Sequence, residues 1–579
     1  MGVLNDLHRR NKVREDNADI QARIKLARKW IFEDGVPLTS VWLKRTLDPM
    51  SLTPTRNAFS AKLHEEFGFN FYSMYVPDLM HEFELGVWKS TLAHLVRLLH
   101  AFGGDKIQRF NERYRMIPTF GRSTIRRFVN NMADLKKLAA RDYEDSLQCS
   151  MSVFDGLPDN AQDNRIILDM LFTYGCWHAL AKLRLHTDDT LDLLDTMTVQ
   201  LGQSTRRFAR TTCKKYDTYE LPRESAARGR RTAALANKGK GKARASKNST
   251  GTTRKRKSYS LKTYKYHSLW DYAAHIRRYG PSDNWTTQIG ELEHRHVKRF
   301  YARTNKRGHA KQIARHVHLE GKIRKKAAII EREREQQRER QSAREPVTLM
   351  SSRPQSSSHT RARKDLAPEE AVDPRQQFHI AESERDYDDI STWIARHRTD
   401  PAFDNFLPRL SDHIIARLKG DAFQGEELEC SVADRSALRF VANRIYHHHR
   451  MRLNYTTYDM RRSQDVIDPA SHPDIMTLSH EDDDENTPHG FKAKRHPRVG
   501  FVPHDDGIPF GFLDPTVVIR GSHIIPLPSF DHTPGLLPPS IARHGQNVYE
   551  KPEYHDQDYQ YYMVNMFVDR DMLMRYLGG

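Results

Sequence analysis

From Asp78 onward the apolar positions fall at helical steps: Leu79, Phe83, Leu92, Leu95, Val96 and Leu99 recur every three or four residues, and Gly103-Gly104 ends the run. Upstream, NADIQARIKLARKWIFEDG is the clearest of several short helices expected in residues 1–68, a helical lead-in stopped by Gly35 and Pro37. Further helices are predicted over Thr124 to Arg141, Asn164 to Leu185 and Asp189 to Arg210, the last behind the capping-type residues Thr187 and Asp188. Residues 69–222 therefore read as a helix-rich region with its own core.

The pattern then fails. Residues 223–258 hold Gly, Ala, Ser and Lys with almost no large apolar side chain, and the segment is expected to be a disordered basic linker because it cannot offset its ordering entropy. Aromatic residues return at Tyr259, and a long helix is expected from about Asp283 through a basic stretch into the Glu/Arg-alternating tail KIRKKAAIIEREREQQRERQSARE, closing a 259–345 segment of coiled-coil-like character. Residues 346–388, rich in Ser, Arg and Pro, are expected to be disordered, and 389–480 helical. In 481–579 the β-branched runs Thr516 to Ile519 and His523 to Ile525, divided by Asp506-Gly507 and Asp514-Pro515 turns, predict a small β-rich module closed by FVDRDMLMRYLGG.

Composition sharpens this picture in one respect. The formal charge of +18 is concentrated: residues 223–257 carry 13 Lys/Arg against the single acid Glu224, and 295–326 carry 12 against Glu320, which leaves the remainder slightly negative. Two segments, not the whole surface, are suited to a polyanion. A mean hydropathy of −0.76 agrees with a chain that is only partly packed. Cys149, Cys176, Cys213 and Cys430 are far apart and form no zinc-type pair, and no apolar run approaches the ~20 residues that span a bilayer.

Three clusters carry candidate chemistry. In VPDLMHEFELGVWK, Asp78, His81, Glu82 and Glu84 either cap a helix and complement its dipole, or Asp78 stands at a strand-to-helix junction where a carboxylate holds a hard divalent cation. In TQIGELEHRHVKRFYARTNKRGHAKQIARHVH, Glu291, Glu293, His294 and His296 lead a helix carrying Arg295, Lys298, Arg299, Arg303, Lys306, Arg307 and Lys311 interleaved with Phe300 and Tyr301. One-sided charge with aromatics suits phosphate-backbone contact better than an ordinary solvated face. Arg254, Lys255, Arg256 and Lys257 form an RKRK run of the kind read as a nuclear-import signal. The triplet His447 to His449 is set aside as a ligand site, because three adjacent residues cannot all face one ion on a helix or strand.

The chain resembles the transposases of fungal CACTA-type elements, in particular the Plavaka group. The segments that carry the resemblance are FNFYSMYVPDLMHEFELGVWK, RYRMIPTFGRSTIRRF, DLKKLAARDYEDSLQC, WHALAKLRLHTD, ELPRESAARGRR, GELEHRHVKRFYARTNK, NYTTYDMRRSQDVIDPASHPDIM, FGFLDPTVVIRGSHIIP and FVDRDMLMRY. The resemblance implies a fold that is mixed but predominantly α: a truncated RNase H-like DDE core with a large helical insertion over Thr124 to Arg210. It implies a D-D-E carboxylate set in which Mg²⁺ or Mn²⁺ ions activate the attacking oxygen for DNA strand cleavage and transfer. Asp78 with His81 is similar to the family's D-x-x-H signature, and Glu293, or its neighbour Glu291, to the final glutamate. Asp78 and Glu293 are the implied metal ligands.

The family's first catalytic Asp lies upstream of the segment similar to ARKWIFEDGVPLTS, and Asp6, Asp16, Asp19 and Asp34 stand in helical or turn contexts. A second departure is TLSHEDDDENTPH, in place of a longer aromatic-rich β segment. The resulting expectation is an N-terminally truncated, catalytically inactive transposase fragment. It would keep residual DNA binding in the nucleus, hold no productive metal pair, and partner DNA, a second copy or a full-length transposase, but no membrane. The alternatives are a DNA-binding or interaction protein adapted from the remnant, and a metal-dependent nuclease whose missing Asp comes from an upstream exon or a partner chain.

Overall fold

Helix formation begins where polar caps meet apolar spacing. Asn17 accepts the Ile20 N–H at 3.0 Å to open the Ala18–Phe32 helix, Ser40 opens Val41–Leu47, and the two bury Ile20, Ala27, Leu43, Leu47 and Leu52 in a small core of their own. The computed structural model describes residues 14–55, 57–136, 138–238, 254–342, 377–420, 429–477, 498–505, 509–543 and 557–577.

The run that starts at Asp78 is helical throughout but not uniformly α. Leu79–Trp88 winds as a π-helix, Lys89–Phe102 continues as α-helix, and Gly103 and Gly104 end it at φ 77° and 59°. Eight of the ten π-helical residues are buried, Glu82 and Glu84 among them. The centre of the fold is the Ala161–Ala181 helix, which from Ile166 onward is apolar on most sides and buried except at Asp169, and which packs on the Asp188–Arg210 helix capped by Thr187.

Several expected elements are different. Thr124 to Arg141 is not a helix: Ile125, Phe128 and Met132 are buried at helical spacing, but turns and one short 3₁₀ turn carry them there. Polar anchors decide the path, with Arg126 paired to Asp142 and Asp145 and Asn111 accepting from the Ala133 N–H. The basic linker is ordered at both ends. Pro222–Lys238 is a helix fixed by Glu224, which accepts from the Leu221 N–H and pairs with Arg97, while Lys255 and Lys257 exchange backbone hydrogen bonds with Glu220 and Thr218. Ion pairs supply there what the missing apolar side chains cannot. Residues 239–253, 343–376 and 478–497, with Asp506-Gly507, lie outside the described residues, so the expectations placed on them stand apart from this account.

The chain forms two compact units, Met1–Trp285 with Asp373–Gly579, and Thr286–Val372. In the first, every strand described lies beyond residue 377, and the described residues among 14–285 contain only the isolated bridges Phe120–Ile125 and Tyr219–Arg256. The sheets are small and antiparallel: Phe378–Ile380, Met451–Thr456 and Arg462–Ile467 form one, and Arg498–Val499, Tyr562–Val564 and Ile524–Pro526 another. Strands thus begin inside the 346–388 stretch expected to be disordered, at Phe378–Ile380 and Tyr387–Asp389, because they pair with Met451–Thr456 and Arg444–Tyr446, and in the 389–480 stretch expected to be helical the α-helices described end at Ala437. In the second unit the long helix expected from Asp283 is broken into Gln288–Tyr301 and His309–Ser342, because Lys306 and Gly308 take positive φ (63° and 56°) in the turn between them. Among the described residues no helix is long and apolar enough to cross a membrane.

The C-terminal residues complete the main core and are not a separate layer. Ile525, Leu527, Met563, Phe567, Val568, Met572 and Leu573 join the same buried cluster as Trp88 and Trp177. Arg520, fully enclosed, holds this end by pairing with Asp465, Asp569 and Asp571. The Phe567 ring lies so close to Gly175 in the central helix that an added Cβ would stand 2.9 Å from it. Gly175→Ala is therefore expected to destabilise the protein by about 1–3 kcal/mol through overpacking, although alanine gains roughly 1 kcal/mol in helix propensity. Urea midpoints check this, with Phe567→Leu expected to relieve part of the loss in the double variant.

Candidate functional site

Asp78 sits at φ −109°, ψ 116°, the extended residue before the π-helix, with no strand leading into it. Its carboxylate accepts the His81 N–H at 3.3 Å and also contacts the His81 ring Nδ1. Reciprocally, the Asp78 N–H donates to Glu82 Oε2 at 2.6 Å, and Tyr264 donates its hydroxyl to Glu82 Oε1 at 2.9 Å. The Lys265 stem crosses Gly86, where any Cβ would collide with it, and its ammonium donates to the His81 carbonyl at 2.9 Å. Of the two readings of this stretch, the geometry displays the reciprocal cap in full. Tyr272, wholly buried nearby, keeps a hydroxyl without a hydrogen-bond partner, and burial followed by the charges of Glu82, Asp78 and Glu84 raises its pKa.

Glu84 faces away from that corner, into the core. Its Oε1 lies 3.1 Å from His178 Nε2 and 3.4 Å from Lys182 Nζ, and Lys182 reaches Glu144 at 2.6 Å. Glu84, Glu144 and His178 converge closely enough to surround one cation, and they are the one such group among the described residues. Burial alone would raise the Glu144 carboxyl, but Lys182 and then His178 outweigh it and hold it at about 2; the two carboxylates in turn raise Lys182 against its own burial. The ammonium already neutralises the site, so a metal ion would have to displace it.

Glu291 and Glu293 belong to the second unit. Glu291 pairs with His294 at 3.1 Å, and Glu293, 77% exposed, with His296 Nδ1 at 3.4 Å. His296 also bonds Glu320, and Phe300 stacks on His316 at 5.3 Å, which closes the two helices into a hairpin. Arg295, Lys298, Arg299, Arg303, Lys306, Arg307 and Lys311 are all exposed on it, and none has an ion pair among the described residues. His294, Lys298, Tyr301, His309 and Ile313 line a shallow groove between the helices.

A hard divalent ion needs several oxygens at once. Within the first unit Asp78 and Glu82 are each held by protein donors, and Glu84 is turned to Lys182, so the residues present do not fit a Mg²⁺ or Mn²⁺ pair there. Sequence reasoning passed over the Glu84, Glu144, His178 and Lys182 cluster. Its signal was His178 and Lys182, one helical turn apart at the end of an otherwise apolar helix. Comparison with protein-family models, with curated proteins and with solved structures gives no match.

Removing the ammonium should leave two facing buried carboxylates. Lys182→Met is expected to cost about 3–5 kcal/mol, with part regained on adding Glu144→Gln. Because the folded Glu144 carboxyl is depressed from 4.5 to about 2, its contribution is complete above pH 4.5 and is lost as pH falls toward 2. Urea midpoints measured across that window should fall less steeply in Glu144→Gln.

Proposed function

We propose that this chain is a transposon-derived DNA-binding protein, descended from RNase H-like DDE transposases of the Plavaka kind, that contacts DNA through its second unit and does not cut strands by itself. The observation that carries the proposal is the set of seven exposed cations, Arg295, Lys298, Arg299, Arg303, Lys306, Arg307 and Lys311, on one helical hairpin, with no acidic partner among the described residues. Cations paired within the protein gain little from phosphate, whereas unpaired ones release counterions on binding it. Tyr301 and the groove beside it add a surface on which a base or sugar stacks.

Loss of cleavage is the second half of the proposal. It is supported by the Asp78 corner, whose carboxylates serve as cap and hydrogen-bond acceptors, and Mg²⁺ or Mn²⁺ enters only as the family's ion. Nuclear import through Arg254 to Lys257 belongs to the same proposal, supported by four exposed side chains on an extended backbone.

The test uses the full chain with duplex DNA. A plot of log K against log salt should slope downward, and Lys298→Ala, Arg299→Ala and Arg303→Ala together should reduce that slope by up to about 2.7. A flat plot, or one that the triple variant leaves unchanged, would overturn the DNA reading. Plasmid nicking with Mg²⁺ or Mn²⁺ is expected to be absent; metal-dependent nicking abolished by both Asp78→Ala and Glu293→Ala would refute the inactive assignment.

A further inference from the structure

Within the first unit, residues 116–120, residues 469–474 and the strand Ile524–Pro526 line a cavity of about 160 Å³ together with Arg543 and Tyr559. Phe120, Tyr559 and Tyr562, with Pro118, Pro473 and Pro526, give it flat and largely apolar walls. Two polar atoms of the lining residues are buried without a hydrogen-bond partner among the described residues, His472 Nε2 and Arg543 Nε. The other nitrogens of Arg543 are engaged: Nη1 donates to Asp558 Oδ1 at 2.7 Å, and Nη2 to the carbonyls of Leu537 and, at 3.4 Å, Pro538. This side chain is only 9% exposed, so its last N–H is cut off from solvent as well. A buried donor in that state carries its whole desolvation cost, which an acceptor on a ligand relieves. His472 Nδ1 meets Ser471 Oγ at 2.8 Å, which leaves Nε2 as the open side of that ring.

Charge, size and wall shape together narrow the ligand. Arg543 is answered by Asp558, and burial pushes the Asp474 carboxyl up to about 7 against the Ile524 N–H, so it sheds charge near neutrality. Burial also holds His523 down at about 4; it is neutral, with Nε2 donating to the Pro118 carbonyl at 3.0 Å and Nδ1 3.1 Å from Asn565 Nδ2. An ion would therefore be desolvated without a free counter-charge, which an uncharged ligand avoids. A cavity of about 150 Å³ takes up one six-membered ring, and sites for drug-sized molecules begin near about 300 Å³. Flat aromatic and proline walls select a planar ring, and Arg543 Nε, which can only donate, requires an acceptor on it. We infer that this cavity is a binding site for a small planar heterocycle bearing a ring carbonyl, the chemistry of a pyrimidine base. The carbonyl accepts from Arg543 Nε, and His472 Nε2, which donates or accepts according to its tautomer, meets a second polar position on the ring edge. The site stands apart from the DNA reading, since none of its residues belongs to the basic hairpin.

The experiment is equilibrium dialysis of the full chain against uracil, with benzene and adenine as comparison ligands. One uracil per chain is expected. Benzene, which offers no acceptor, and adenine, whose two rings exceed the volume, should each bind at least roughly tenfold more weakly. Arg543→Lys keeps the charge facing Asp558 but removes Nε, and His472→Phe keeps a ring beside Phe120 but removes Nε2. Each should weaken uracil binding by roughly tenfold, with a circular dichroism spectrum that matches the parent chain. Changing Lys298, Arg299 and Arg303 together to Ala should leave uracil binding intact, so failure of the DNA reading and failure of this site are separable. Competition by oligo(dT) distinguishes the two sources: displacement of uracil supports a base within a strand, and retention supports a free base. No saturable uptake of uracil, uptake of benzene equal to that of uracil, or binding that both Arg543→Lys and His472→Phe leave unchanged would each overturn the site.

Discussion

Two carboxylates buried in one core demand compensation, and the way Glu84 and Glu144 receive it fixes the centre of the first unit. Lys182 answers both acids and His178 answers Glu84, so the π-helix, the Ala140–Gln148 helix and the end of the Ala161–Ala181 helix are held at one point. A charge left alone there would cost several kcal/mol, which makes the three helices interdependent and not merely adjacent. Trp88 and Tyr114 strengthen the same junction by donating to Ser146 Oγ and the Ser146 carbonyl. On the other side of the π-helix, Glu82 and the His81 carbonyl are taken by Tyr264 and Lys265, so the segment is clamped between two polar contacts. Gly86 is what permits the second clamp, since the Lys265 stem lies where any Cβ would be.

The elements legible in the sequence are those whose order comes from apolar spacing with a cap. The run from Leu79 to Phe102, the central helix and the Thr187-capped helix were visible within a few residues, and so were the β-branched strands at Val518 and Ile524. What was not legible depends on partners distant in the chain. The period of Ile125, Phe128 and Met132 is helical, yet Arg126 is drawn to Asp142 and Asp145, and the backbone follows the ion pairs. Pro222–Lys238 looked too polar to order, but its Glu224 finds Arg97, 127 residues away. The Asp78 cap could be read from VPDLMHEF alone. The turn of Glu84 toward Lys182 could not, because it depends on the wide winding of the π-helix, which periodicity at 3.6 residues does not anticipate.

Charge is divided between the two units in a way that composition foreshadowed. In the first unit the guanidinium groups of Arg113, Arg126, Arg520 and Arg570 are spent on protein acceptors: Arg113 on the Val153 carbonyl, Arg126 on Asp142 and Asp145, Arg520 on three aspartates and Arg570 on Asp283. In the second unit the 295–326 stretch has one acid for twelve cations, and that acid, Glu320, is already shared by His296 and Arg324. Neutralisation from within this stretch is therefore arithmetically impossible. Most of its cations must meet counterions or acids outside the stretch, and under the DNA reading proposed above a hairpin already folded would present them to phosphate with little new ordering cost. The same logic separates Glu293 from Glu84: the exposed acid is set among unpaired cations, whereas the buried one is neutralised within the core by Lys182 and His178.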